Sequence, residues 1–156
     1  MTHSQLISVS AAMVRCNLMW QGWDEHKDEL LKLFPALANG DYRANDAIMV
    51  QPSSSYLILA VALLFVVIEF LRDHLVPFPE TIRADIELLY PKLKEFRNCV
   101  FHTQGKLLSD RQDPLMDLPD SLETIKKIHV EIDSMLRSMV ANLPDSAFET
   151  PEGAIS

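Results

Sequence analysis

One segment constrains this chain more than any other: YLILAVALLFVVIEFLRDHL, from Tyr56 to Leu75. From Tyr56 to Ile68 it carries no charge and no polar stripe, so a helix formed there must be covered on every side. The cover is either lipid or other helices. Glu69 ends the run, and Arg72, Asp73 and His74 follow it. The uninterrupted apolar stretch is therefore shorter than the about 20 residues that a membrane span requires. The expectation is a central helix buried in a helical bundle, with no membrane partner.

The rest of the chain supplies helices to cover it. Apolar residues recur at three- and four-residue intervals, and no alternating strand pattern competes with them. A first helix is expected from about Ser4 to Trp20, ending near Gly22. A second runs through WDEHKDELLKLFPALANG, with acids at its start, Pro35 as an early stop or kink, and Gly40 as its end. DYRANDAIMVQPSSS reads as a loop whose serines cap the apolar helix, itself expected from about Ser54 to Leu75. VPFP then breaks the chain. Another helix is expected from Glu80 to about Gln104, kinked or restarted at Pro91 and stopped at Gly105. After the loop KLLSDRQDPLMDLP, a last helix covers Asp120 to Leu143, with Asp120 and Glu123 forming a box-like start. The fold class is all-α, an up-and-down bundle of four to five helices. It forms a single domain over residues 1–143, with a flexible tail over 144–156.

Composition excludes several functions. The chain of 156 residues has a formal charge of −8, so as a whole it repels nucleic acid. Contact with phosphates needs a local basic patch. Cys16 and Cys99 have no CxxC partner and no histidine cluster beside them, so no metal and no cofactor are expected. Both read as small buried apolar groups in a reducing compartment. MTHSQLISVS lacks a basic start followed by an apolar run, so no signal peptide is expected and the location reads as cytoplasmic. No Gly-rich phosphate loop, Ser-His-Asp order or paired-carboxylate motif is present.

The chemistry gathers instead in KLKEFRNCVFHTQGK, Lys92 to Lys106. At about 100° per residue, Ile86, Leu89, Leu93, Phe96 and Val100 fall on one stripe, which must face the core. Asn98 and His102, four residues apart, lie nearly opposite that stripe, and Arg97 sits at its edge. His102 is therefore not a buried core histidine. Lys92, Lys94, Arg97, Lys106 and Arg111 oppose only Glu95 and Asp110 between Lys92 and Arg111, a positive island suited to an anion such as phosphate. These residues alone leave two readings: a plain solvated face, or half of a shared active site.

The RNCVFH stretch resembles the signature of the HEPN superfamily: an arginine, a polar residue and, a few positions on, a histidine, on a late helix of a small α-helical bundle. The specific match is six residues long; over the rest of the chain the likeness is architectural. The resemblance implies a metal-independent endoribonuclease. In it, two protomers bring both copies of the motif to one cleft, and the ribose 2′-hydroxyl attacks the adjacent phosphate. Arg97 would bind the scissile phosphate, His102 would act as general acid or base, and Asn98 would orient either of them. Lys94, Lys106 and Arg111 would hold the RNA backbone. RNA, a second copy of the chain and an antitoxin protein are the implied partners. Some members of the superfamily do not cleave RNA, so a non-catalytic bundle that binds a nucleotide or protein stands as the alternative.

Other polar residues read as structural. Glu69, ending an apolar helix, needs a cationic partner, either Arg97 or Arg72. His74, at a helix end, reads as a cap favoured by the helix dipole. His129, beside Lys126, Lys127 and Glu131, reads as solvated, as do His26 and the terminal His3. Trp20 and Trp23 flank Gly22, with Met13 and Met19 upstream, and read as core packing at a helix junction.

Overall fold

A computed structural model describes residues 1–32, 52–101 and 118–144. Among them stand four helices and no strand: α1 (His3–Leu31), α2 (Pro52–Asp73), α3 (Glu80–Phe101) and α4 (Leu118–Ala141). The expected all-α bundle is the observed architecture.

Cross-helix contacts fix its topology. Cys16 meets Ala60 and Gln5 meets His74, so α1 and α2 are antiparallel. Glu69 meets Arg97 while Arg72 meets Glu87, which makes α2 and α3 antiparallel as well. Thr81 reaches Glu131 and Lys127 reaches Asp85, and Asn17 reaches Asp133 and Asp24 reaches Lys126. Helix α4 therefore runs antiparallel to both α3 and α1. The result is an up-down-up-down bundle in which α1 and α3 lie diagonally across the core.

Each helix contributes a stripe at the expected spacing. Leu6, Val9, Met13, Cys16, Trp20 and Trp23 come from α1, and Ile82, Ile86, Leu89, Leu93 and Phe96 from α3; α4 adds Ile125, Ile128, Ile132 and Leu136. Helix α2 differs, because it is buried on most of its circumference, from Leu57 through Phe65 to Leu71. It is also longer than its uninterrupted apolar run. Ser53–Asp73 is apolar and long enough to cross a membrane by composition alone, with mean hydropathy 2.4, and 56% of that window is buried inside the bundle.

Several helix boundaries differ from expectation. Gly22 ends nothing: α1 continues unbroken from His3 to Leu31. A Cβ on Gly22 would stand 2.8 Å from Cδ1 of Tyr56, so the glycine is a notch that lets the Tyr56 ring lie against the α1 backbone. Trp20 and Trp23 are core residues, as expected, but within one helix and not at a junction. The end expected at Gly40 lies outside the described residues, as do Pro35, Gly105 and residues 145–156.

Helix α2 begins at Pro52, a residue whose fixed φ suits a first turn, so the buried Ser53 and Ser54 are helical and do not precede the helix. Helix α3 runs through Pro91 without restarting. Pro91 faces solvent, where water can satisfy the carbonyl one turn earlier. Helix α4 starts at Leu118, two residues before Asp120, so Asp120 is not its N-cap.

The α2–α3 corner is built with a left-handed residue. Leu75 has φ of 52°; its N–H donates to the Arg72 carbonyl and the Val76 N–H to the Leu71 carbonyl, both at 3.0 Å. This is the paired C-terminal motif that glycine normally serves. His74 caps the helix end as expected, but through hydrogen bonds of its ring and not through charge on the dipole. One ring nitrogen, Nδ1, lies 2.8 Å from the Phe70 carbonyl, and the ring stacks on Phe70 at 4.1 Å. The other, Nε2, lies 2.9 Å from the Gln5 amide nitrogen, whose oxygen accepts from the Thr2 N–H. An amide nitrogen only donates, so Nε2 accepts and the ring proton sits on Nδ1.

Candidate functional site

The surface singled out by sequence is the outer part of α3. Its amphipathic pattern positions the motif: Leu89, Leu93 and Phe96 turn inward, which leaves Lys92, Lys94, Glu95 and Asn98 exposed and Arg97 at the boundary. His102, Lys106 and Arg111 lie outside the described residues, and of Val100 and Cys99 only the backbone is described. The described part of the site is thus Lys94, Arg97 and Asn98.

Arg97 is firmly held. Its Nη2 donates to both carboxylate oxygens of Glu69, at 2.9 and 3.0 Å. The Arg97 side chain is 18% exposed and that of Glu69 31%. The guanidinium carbon lies 5.4 Å from the centroid of the Phe65 ring, and Nε is enclosed with no hydrogen-bond partner among the described residues. Of the two partners expected for Glu69, Arg97 is the one found. Arg72 turns elsewhere, over the Tyr90 ring at 3.9 Å and 3.6 Å from Glu87. Phe65 and Tyr90 touch at 5.1 Å between centroids. The α2–α3 seam is therefore a layer of two arginines laid on two aromatic rings, with Glu69 fixing one of them.

A second polar cluster, between α1 and α4, escaped the sequence reading. His129 is not solvated. Its Nε2 lies 2.6 Å from Oδ1 of Asn17, and its ring meets Trp20 at 5.4 Å between centroids. Asn17 Nδ2 donates to Asp133 at 2.8 Å, and Arg137 Nε donates to the other Asp133 oxygen at 2.7 Å. Because the carboxylate can only accept, the Asn17 amide is oriented, and the Nε2 of His129 must carry a proton.

Burial holds the His129 imidazole down at about 4, aided by the Lys126 charge and opposed by Asp133 and Asp24. Burial works against the charge of Asp133 too, but hydrogen bonds from Arg137 and Asn17 outweigh it and keep that carboxyl below its ordinary range. Asp24 behaves alike: burial opposes its charge, and Lys27 and Lys126 more than offset this. A helical wheel reveals the cluster, since His129 falls at the edge of the stripe formed by Ile125, Ile128, Ile132 and Leu136. Reading it from its linear neighbours hid this.

The remaining reactive groups are quiet. Cys16 is fully buried, burial pushes its thiol up to about 12, and Sγ donates to the Ala60 carbonyl at 3.3 Å. That environment suits a packing residue and not a nucleophile. His26 is exposed and stacks on Tyr56 at 6.0 Å. Among the described residues no group of three His, Cys, Asp or Glu side chains is placed to hold a metal ion. No family model matches the chain, and neither a curated protein nor a solved structure shows a significant match to it.

Proposed function

We propose that the chain is a HEPN-like, metal-independent endoribonuclease of a defence or toxin type, acting in the cytoplasm as a homodimer. The observation that carries this reading is the seating of Arg97. Glu69 fixes the guanidinium at the boundary between core and solvent, and the exposed Asn98 and Lys94 lie beside it on α3. A donor already held in place loses little entropy on meeting a phosphate, which is what charge stabilisation in a transition state demands.

In the proposed step, the 2′-hydroxyl oxygen bonds to the adjacent phosphorus and the bond to the 5′-oxygen breaks. A cyclic phosphate and a 5′-hydroxyl remain. His102 takes the proton from the 2′-hydroxyl or returns one to the leaving oxygen. Arg97 offsets charge on the phosphoryl oxygens, Asn98 orients them, and Lys94, Lys106 and Arg111 hold flanking phosphates. A protein that covers this face would serve as the antitoxin.

A second reading, a non-catalytic bundle binding a nucleotide or protein, is favoured by one feature of the same pair. Glu69 engages Arg97 with both oxygens, so an anion must compete with a carboxylate already in place. Incubating the protein with RNA in EDTA, beside Arg97→Ala and His102→Ala, separates the two. Cleavage with cyclic-phosphate ends, reduced about 100-fold or more in both variants, supports the enzyme. Equal activity in all three removes the site assignment. Absence of cleavage, with nucleotide or RNA retained by the wild type alone, selects the second reading. Glu69→Gln adds a check: if Glu69 positions Arg97, activity falls, and if Glu69 blocks it, activity rises.

A further inference from the structure

Opposite its core stripe, α1 carries a second apolar line. Ile7, Ala11, Val14 and Leu18 recur at intervals of four, three and four, the spacing with which one helix packs on another. In the bundle they face outward: Ile7 is 42% exposed, Val14 and Leu18 each 54%, and Ala11 is exposed as well. Short, neutral side chains border the line, Ser4 and Ser8 among them, both exposed. The outward residues of α2, Leu59 and Val66, are less exposed, at 38% and 36%, and Val66 lies within one turn of Glu69.

The charge distribution suits this face to a second copy of the chain. The chain has 22 acidic residues, and none precedes Asp24. In a molecule of net charge −8, two copies repel each other over most of their surface. The outward face of α1 from Ser4 to Leu18 has no carboxylate and one base, Arg15. It is a place where two such anions can meet without like-charge repulsion, and its apolar line is complementary to itself under a two-fold axis.

We propose that the Ile7–Ala11–Val14–Leu18 line of α1 pairs with the same line of a second copy of this chain, antiparallel across a two-fold axis near Ala11 and Val14. Ala11 and the bordering serines let the two backbones approach closely. A single helix ridge buries less than the about 800 Å² per partner of a standard interface, so the dimer is weak, forming at roughly 10 µM to 1 mM chain. Because α1 and α3 lie on the diagonal of the bundle, this pairing turns both α3 motif faces outward. It therefore goes beyond the ribonuclease reading and is distinct from the cleft-forming pair which that reading uses.

Sedimentation velocity over that concentration range, with Val14→Glu and Leu18→Glu beside the wild type, tests it. Both positions are over half exposed, so the variants keep the fold, which far-ultraviolet circular dichroism verifies. The expected result is a wild-type dimer that persists in high salt and is weakened at least about tenfold by either glutamate. A wild type that stays monomeric throughout overturns the proposal. So does a dimer indifferent to both substitutions. Val14-dependent binding to neutral phospholipid vesicles by a monomeric protein also overturns it, giving the ridge to a lipid surface. Cleavage assayed on the same variants reports on the ribonuclease reading separately, since none of the proposed catalytic residues is altered.

Discussion

The two polar seams of the bundle, α2–α3 and α1–α4, solve the same problem with opposite electrostatics. Between α2 and α3, Glu69 and Arg97 face each other as a direct ion pair laid on Phe65. Between α1 and α4, the bridging group nearest the core is uncharged: His129 donates to Asn17, the charge of Asp133 stands one hydrogen bond further out and that of Arg137 two. An ion pair holds only while both partners stay charged and paired. The His129–Asn17 hydrogen bond survives protonation, because Nε2 keeps its proton, but acid places a charge on a half-buried ring, and burial opposes that charge. The first seam is therefore sensitive to deletion of a partner, and the second to acid.

Deleting a partner should give the largest effect. Glu69→Ala leaves the mostly buried Arg97 guanidinium without its carboxylate, and after allowance for the partial exposure of the pair the expected loss is about 2 kcal/mol. Urea denaturation reads it; a midpoint unmoved by Glu69→Ala would mean that solvent already screens the pair. The α1–α2 seam, closed by steric fit and with no ion pair among its described residues, supplies a control. Gly22→Ala gains helix propensity but drives a methyl into Tyr56 at 2.8 Å, for a net loss of about 1.5 kcal/mol. A gain in thermal midpoint would show that the ring moves aside freely.

Acid should separate the seams next. The folded-state value of His129, about 4, lies below its ordinary 6.5, so the unfolded chain binds more protons between them. Stability from this residue is complete above pH 6.5 and is lost as the pH falls through that window toward 4, by about 1 kcal/mol after discounting for the partial exposure of the ring. His129→Gln should flatten that part of the stability–pH curve. The slope left over should begin only lower, where Asp24 and Asp133, both held below 3.8, take up protons. An unchanged curve would mean that water reaches the imidazole freely. The smallest effect is expected at the corner that orders both neighbours: Leu75→Gly relieves the left-handed backbone at φ 52° and should stabilise by about 0.5 kcal/mol, a small rise in melting temperature.

The architecture was legible in the sequence because it depends on apolar spacing, which survives in the folded chain as the buried stripes of α1, α3 and α4. That Glu69 needs a cationic partner was legible too, since a carboxylate closing an apolar helix has few places to go, but the choice of Arg97 over Arg72 came only with the fold. What the sequence hid depends on the third dimension. Gly22 reads as a helix end along the chain and becomes a notch only once Tyr56 arrives from another helix. His129 reads as solvated among lysines and becomes half-buried only when α1 covers it. Of the candidate site, the exposure of Asn98 and the boundary position of Arg97 followed from the wheel, but the hold that Glu69 exerts on Arg97 bears directly on what that arginine can do.

The contact of Gly22 with Tyr56 has a consequence for inheritance. Two helices touch there through the absence of one side chain and the presence of another, so neither position is free to drift alone. An alanine at position 22 should be rescued by a smaller residue at position 56, while each change alone does harm. A library varying both positions would recover survivors along that diagonal, and their pairing would record how closely these two helices must approach.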